Sequence, residues 1–300
     1  VDERHNTFLA LKKERPNMCL TISLLKIFTF ALLFVAPSCF GQSKPASPTN
    51  AIAPAVAPAD IEAAVAALCA PRDIIRSNNG SASGCKTCPK GTQFYGQNMG
   101  EWELRNATAG HFTSARDNNL ILDGFNCDSH SQNFGGSFVF TLSASKPRLL
   151  KYAMGLITEQ CHKFPFADGR EFLVCRGGWS GQGENTGVIF MVRFDATGKE
   201  NQTNIFTTTD TKATCGDVAE TIVEGSNIKD TQFVIKSSGQ MTEMTITATS
   251  GKLTCAEANA KRAQGVDPPS VKTYQLKYLF DGKQFTIAPE SKSALKAFPE

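Results

Sequence analysis

The sequence predicts an all-β protein of antiparallel, four-stranded, blade-like meanders with one short N-terminal helix. Three observations lead there. From Gln93 onward, short runs of Phe, Val, Ile, Leu and Thr are broken by Gly, Asn and Asp, the texture of strands joined by turns. Phe is over-used, at 21 against 4 Tyr and 2 Trp, and many buried Phe suit a packed β core. A unit of about 50 residues recurs along the chain, the size of a propeller blade.

The first 41 residues read as a signal peptide. The apolar run Ile27–Ala36 has the length of an h-region, Lys12, Lys13 and Arg15 precede it, and Ala36, Ser38 and Gly41 supply the small residues of a cleavage site. Residues 1–17 read as an upstream over-extension, with Met18 as the start. Lys26 shortens the apolar stretch below the ~20 residues of a membrane span, so no stable transmembrane span is expected in the mature chain. A lipid anchor on Cys39 is the alternative, with Pro37 standing where a lipobox normally carries a small residue. Five of the 31 basic and three of the 28 acidic residues fall in this leader. The charges left behind nearly balance, which steers the protein to neither nucleic acid nor anionic lipid.

Residues 42–60 form a Pro/Ala-rich linker with little to bury, expected extended or disordered. Residues 61–92 then hold a short helix and a Cys-rich loop. Asp60 is the expected cap, Ile61, Val65 and Leu68 share one face, and Pro71 is the stop. So short a helix must dock on something. Residues 93–300 are the β-repeat domain. Cys255–Gln264 is the one other stretch with helical character.

The repeat shows when residues 111–122 are set on 163–174. Phe112 falls on Phe164, Ala115 on Ala167, Leu120 on Phe172 and Leu122 on Val174; further on, Gly135 falls on Gly187 and Phe138 on Phe190. A degraded third copy follows, with QFVIK at 232–236 matching EFLVC at 171–175. The turn Ala167–Arg170 between two apolar runs signals a hairpin. The stretch KFPFADGREFLVCRGG resembles a repeat of the FG-GAP, integrin-type β-propeller family, and the resemblance spans residues 110–199. It implies a propeller-like arrangement of blades. It does not bring the family's calcium site, because Asp168 and Glu171 are too few acids for the alternating ligands of such a loop. About four such units fit in residues 93–300, so a small or incomplete propeller and a sandwich are both open.

Ten cysteines are present. Cys19 and Cys39 belong to the leader, leaving Cys69, Cys85, Cys88, Cys127, Cys161, Cys175, Cys215 and Cys255. An even set in an exported chain reads as disulfides, with 105 pairings open. The Cys85-Lys86-Thr87-Cys88 motif invites redox or zinc chemistry. A redox pair would open a helix after a strand, whereas this one sits among Ser, Asn, Gly and Pro. A zinc site wants a second pair, and only Cys69 and His111 offer themselves. A staple from Cys85 or Cys88 to Cys69 is the leading reading. Cys161 and Cys175 are expected as diagonal neighbours across a hairpin, with Cys127 another partner for Cys175, and Cys215 left to pair with Cys255.

Neither a nucleophile elbow, a P-loop, an HExxH nor a dinucleotide fingerprint is present, so no catalytic residue, metal or cofactor is assigned. Two polar, Gly-rich stretches, 123–136 and 176–187, occupy the same place in two units and read as long loops. Loops on a β scaffold are where ligands sit, and Trp179, Asn126, Asp128, His130 and Asn185 are the candidate contacts. The expected protein is periplasmic or extracellular and non-catalytic, binding a glycan, a peptide or an envelope component. The alternative is a secreted enzyme, either a thiol-disulfide exchanger at Cys85/Cys88 or a hydrolase with a loop-assembled site.

Overall fold

The computed structural model describes residues 56–97, 100–129, 134–142, 146–215, 218–262 and 268–298. The expected signal peptide, Cys39 and most of the linker lie outside them. The fold is all-β. Three antiparallel meander sheets stack face to face, and short helices sit at the margins.

The first sheet has six strands in sequence order: β1 (Ile74–Arg76), β2 (Ala82–Cys85), β3 (Trp102–Gly110), β4 (Asn118–Phe125), β5 (Gly135–Leu142) and β6 (Pro147–Met154). The second has four, β7 (Cys161–Pro165), β8 (Glu171–Gly181), β9 (Glu184–Phe194) and β10 (Glu200–Asp210). Strand β11 (Ile222–Glu224) leaves this layer. The third sheet orders β12 (Asn227–Ile235), β13 (Met241–Ser250), β15 (Lys272–Phe280) and β16 (Phe285–Ile287), while β14 (Lys252–Thr254) pairs with β11. The 52-residue-spaced copies are thus β4–β6 and β8–β10, and β12, β13 and β15 continue the series. The chain builds three meanders rather than about four, because β11, β14 and the helix after it fall outside the meander series.

Alternation along each strand sends side chains to two faces, and the faces make the cores. On β4 and β5, Leu120, Leu122, Phe138 and Phe140 pack outward against helix α1 (Pro58–Leu68) and its disulfides. Ile121 and Val139 face inward, meeting Leu173, Cys175, Val192 and Phe194 of the second sheet. The second sheet is covered on both sides: Phe172, Val174, Ile189 and Met191 meet Met244, Ile246, Leu276 and Tyr278 of the third. Here the abundant Phe collects, with ring centroids 4.4 Å apart for Phe166 and Phe172 and 4.9 Å for Phe172 and Phe280. Full burial on both faces explains the unbroken apolar run of Phe172–Cys175. Gly124 of β4 has no side chain because Trp102 occupies the space; a Cβ there would lie 1.8 Å from the indole nitrogen.

Helix α1 begins at Pro58, so residues 58–60 belong to the helix and not to the linker. Ala57 is the cap and Asp60 sits in the first turn instead, since proline at the first helical position needs no N–H partner. Glu62 of α1 accepts the Ala82 N–H at 2.9 Å and pairs with Arg76 at 2.6 Å; the Arg76 hydrogen bond holds its carboxyl below the usual range. Helix α2 (Cys255–Arg262) starts in a reciprocal cap: Thr254 N–H donates to the Glu257 carboxylate at 2.9 Å, and Glu257 N–H to the Thr254 hydroxyl at 3.3 Å. Helix α3 (Lys292–Leu295) closes the chain over β15.

Four disulfides join Cys69–Cys85, Cys88–Cys127, Cys161–Cys175 and Cys215–Cys255. The first bolts α1 to β2, as a staple reading of the CxxC motif requires. Cys161 and Cys175 stand directly opposite each other rather than diagonally. The reason is the turn. Phe166 N–H donates to Arg170 O at 2.7 Å, which leaves three loop residues, Ala167–Gly169, with Gly169 at φ 84°.

Candidate functional site

The hairpin of β8 and β9 carries the most exposed chemistry of the second sheet. Its strands pair without a break from Leu173↔Val192 to Gly181↔Glu184. Gln182 and Gly183 turn the chain with φ 51° and 84°, the two left-handed residues of a type I′ turn whose twist matches the strands. Residues 176–187 are therefore strand and tight turn, not a long loop. In the other unit, 123–125 and 135–136 are likewise strand.

Residues directly opposite in an antiparallel pair share a face, which divides the candidate contacts. Trp179 opposes Thr186, while Ser180 opposes Asn185. Trp179 and Asn185 thus point to opposite faces. The Trp179 indole is 42% exposed. It lies along the strand over Gly181, where an added Cβ would meet the ring at 2.7 Å. Gly177 is its neighbour on the other side. The rest of the face is Thr186 and Val188 of β9 with Thr209 and Thr207 opposite them on β10, all half-buried. An open indole lying over Gly181, edged by hydroxyls, is a flat platform. On the reverse face the Ser180 hydroxyl donates to Asn185 Oδ1 at 2.6 Å.

The β4–β5 connection holds two more candidates. Asn126 is exposed, at φ 75°, and its N–H donates to Phe134 O at 2.7 Å. Asp128 is only 2% exposed and accepts from the Gln93 N–H at 2.9 Å and from the Tyr152 hydroxyl. It ties Gln93 to β6 beside the Cys88–Cys127 bridge. Burial, then the Asp128 hydrogen bond, pushes the Tyr152 phenol well up. His130 lies outside the described residues.

The CxxC motif supplies neither a dithiol nor a metal site. Cys85 and Cys88 bond to different partners, and Cys69 is taken as well, which removes the thiol exchanger and the zinc set with His111. Among the described residues, no group of three His, Cys, Asp or Glu is gathered to hold a metal. No helix there is long and apolar enough to cross a membrane.

A second site, unread in the sequence, lies where β12 crosses the second sheet. Ser226 meets β10 at Thr209, Ile228 lies over Gly187 of β9 and takes a hydrogen bond from Arg176 of β8, and Phe233 packs at a tilt against His162 of β7. The last crossing leaves a cleft of about 260 Å³ lined by Glu159, Gln160, His162, Arg176, Asp230, Thr231 and Phe233, with Val174, Ile189 and the Cys161–Cys175 bridge in its wall. Burial lowers the His162 pKa, which favours the neutral imidazole. The local string Glu159–His162 is a polar run beside a cysteine; its partners from β12 lie some 70 residues on, so no spacing rule finds them.

Comparison with protein-family models, curated proteins and solved structures returns no match.

Proposed function

We propose that the chain is an exported, disulfide-stabilised binding protein that takes its ligand on the Trp179 face. The exposed indole carries the reading. A large ring lying over Gly181 and beside threonine hydroxyls suits a sugar, whose C–H face stacks on the ring while its hydroxyls find hydrogen bonds. A glycan is the first choice of ligand, with a peptide or another envelope component as the alternatives. Four disulfides support export, because such bonds persist in oxidising compartments; with the leader at 1–41 they favour the periplasm or the exterior. The likeness of residues 110–199 to propeller repeats belongs to the same proposal, supported by the matching order of β4–β6 and β8–β10.

Trp102 is fully buried, so acrylamide-quenchable emission reports Trp179. Oligosaccharides of hexose and N-acetylhexosamine, added in turn, should protect that emission for at least one sugar. Trp179→Ala should abolish binding and change stability by no more than about 0.5 kcal/mol, as for surface sites generally. Unchanged binding in this variant, or its unfolding, would remove the platform from consideration.

A further inference from the structure

The cleft between β7 and β12 is on the other side of the second sheet from Trp179, and its chemistry is different. It holds charges of both signs that do not neutralise one another. Arg176 sends Nη2 to the carbonyl of Ile228 at 2.6 Å, which fixes the guanidinium in place without cancelling its charge. Asp230 accepts only a neutral amide, from Gln232 at 3.0 Å. Among the described residues neither these two nor Glu159 forms an ion pair. The Thr231 hydroxyl in the same wall is buried with no hydrogen-bond partner, an arrangement that costs free energy. Phe233 and His162 close one side with rings 4.9 Å apart.

A ligand of one sign would meet attraction and repulsion together in such a recess. A ligand carrying both signs gains from both, with water screening part of the gain because Arg176, Asp230 and Glu159 are exposed. The volume, about 260 Å³, is below the ~300–1,000 Å³ of drug-sized pockets. We infer that this cleft binds a small zwitterion of the α-amino acid class, its carboxylate on Arg176, its ammonium on Glu159 and Asp230, and an apolar side chain against Phe233.

Titration calorimetry on the folded chain at neutral pH, with three probes, tests this. Leucine carries both charges, leucinamide only the ammonium and N-acetylleucine only the carboxylate. Leucine should bind at least tenfold tighter than either. Arg176→Gln should bring leucine down to leucinamide, and Glu159→Gln with Asp230→Asn should bring it down to N-acetylleucine. Should Arg176→Gln unfold because the Ile228 carbonyl loses its donor, the carboxylate variants alone decide. Trp179→Ala should leave all three affinities unchanged, which keeps this site independent of the platform. The inference fails if none of the probes binds at millimolar concentration, or if the blocked compounds bind as well as leucine.

Discussion

Asp123 shows what one buried side chain does to the energetics. It is fully buried on β4. Oδ2 accepts from Thr158 N–H and Oγ1, both at 2.8 Å, and from Asn106 Nδ2 at 3.2 Å. On the other side, the Ser137 hydroxyl lies 2.6 Å from Asp123 Oδ1 and 2.6 Å from Leu156 O. One hydroxyl has one proton for those two contacts. A proton on Asp123 Oδ1 satisfies both, since the acid donates to Ser137 and Ser137 donates to Leu156. Burial acts in the same sense and raises the Asp123 pKa; the groups that touch it, Ser137, Thr158 and Asn106, are all neutral. A raised folded pKa gives stability that is fully present below the unfolded value, about 3.9, and is lost as pH rises through the folded value. The unfolding free energy of the native chain should therefore fall, relative to Asp123→Asn, as pH goes from 3 to 8. Urea titrations of both proteins across that range measure it; parallel profiles would mean that folding leaves the Asp123 pKa unshifted, and a rise would mean that the fold holds Asp123 ionised. Nothing local in Leu122-Asp123-Gly124 announces this burial. The sequence shows an acid before a glycine, which reads as a turn, and it is the pairing of β4 between β3 and β5 that puts it inside.

The elements differ in how exposed their covalent ties are. Cys69, Cys85, Cys88 and Cys127 are all buried, whereas Cys161 and Cys215 are half-buried. Thiol attack needs access to a sulfur. Mild reductant should accordingly open Cys161–Cys175 and Cys215–Cys255 before the two bridges around α1. Alkylation and peptide mapping during a timed reduction give the order, and early loss of Cys69–Cys85 would contradict it. The edge strand β7 is held by more than its disulfide. Lys163 pairs with Glu171 at 3.3 Å with both side chains largely buried, Lys163 reaches Ala109 O at 2.7 Å, and Glu171 accepts the His111 N–H at 2.6 Å. These contacts lock the end of β3 to the start of the second sheet. Most of these elements are legible in the sequence: a helix after Asp60, which the structure begins three residues earlier at Pro58, the hairpin at 167–170 and the β runs after it. The loop reading of 176–187 failed because Gly and polar residues also suit an exposed strand end, where no core demands apolar alternation.

Across the whole molecule, the second sheet is shared by two cores, so the three layers should unfold together. Phe172 is fully buried in that sheet and packs on Phe164, Phe166 and Phe280. Phe172→Ala should cost about 3–5 kcal/mol. In a Trp179→Phe background, Trp102 reports on the first sheet and far-UV circular dichroism on all of them, and the two denaturant transitions should shift by the same amount. Separate midpoints would mean that the layers are independent. By itself the sequence determined the all-β class, the recurring meander unit, the even cysteine set and the short helix, because period-2 alternation, turn residues and an apolar helix face act over a few neighbouring positions. Only the tertiary structure decided that Cys88 bonds Cys127, that Trp179 and Asn185 face apart, that Asp123 and Asp128 are interior, and that Arg176 shares a cleft with Asp230. Each of those depends on strand register or on one sheet crossing another. A shift of one residue reverses every face, and contacts between distant segments leave no trace in local spacing.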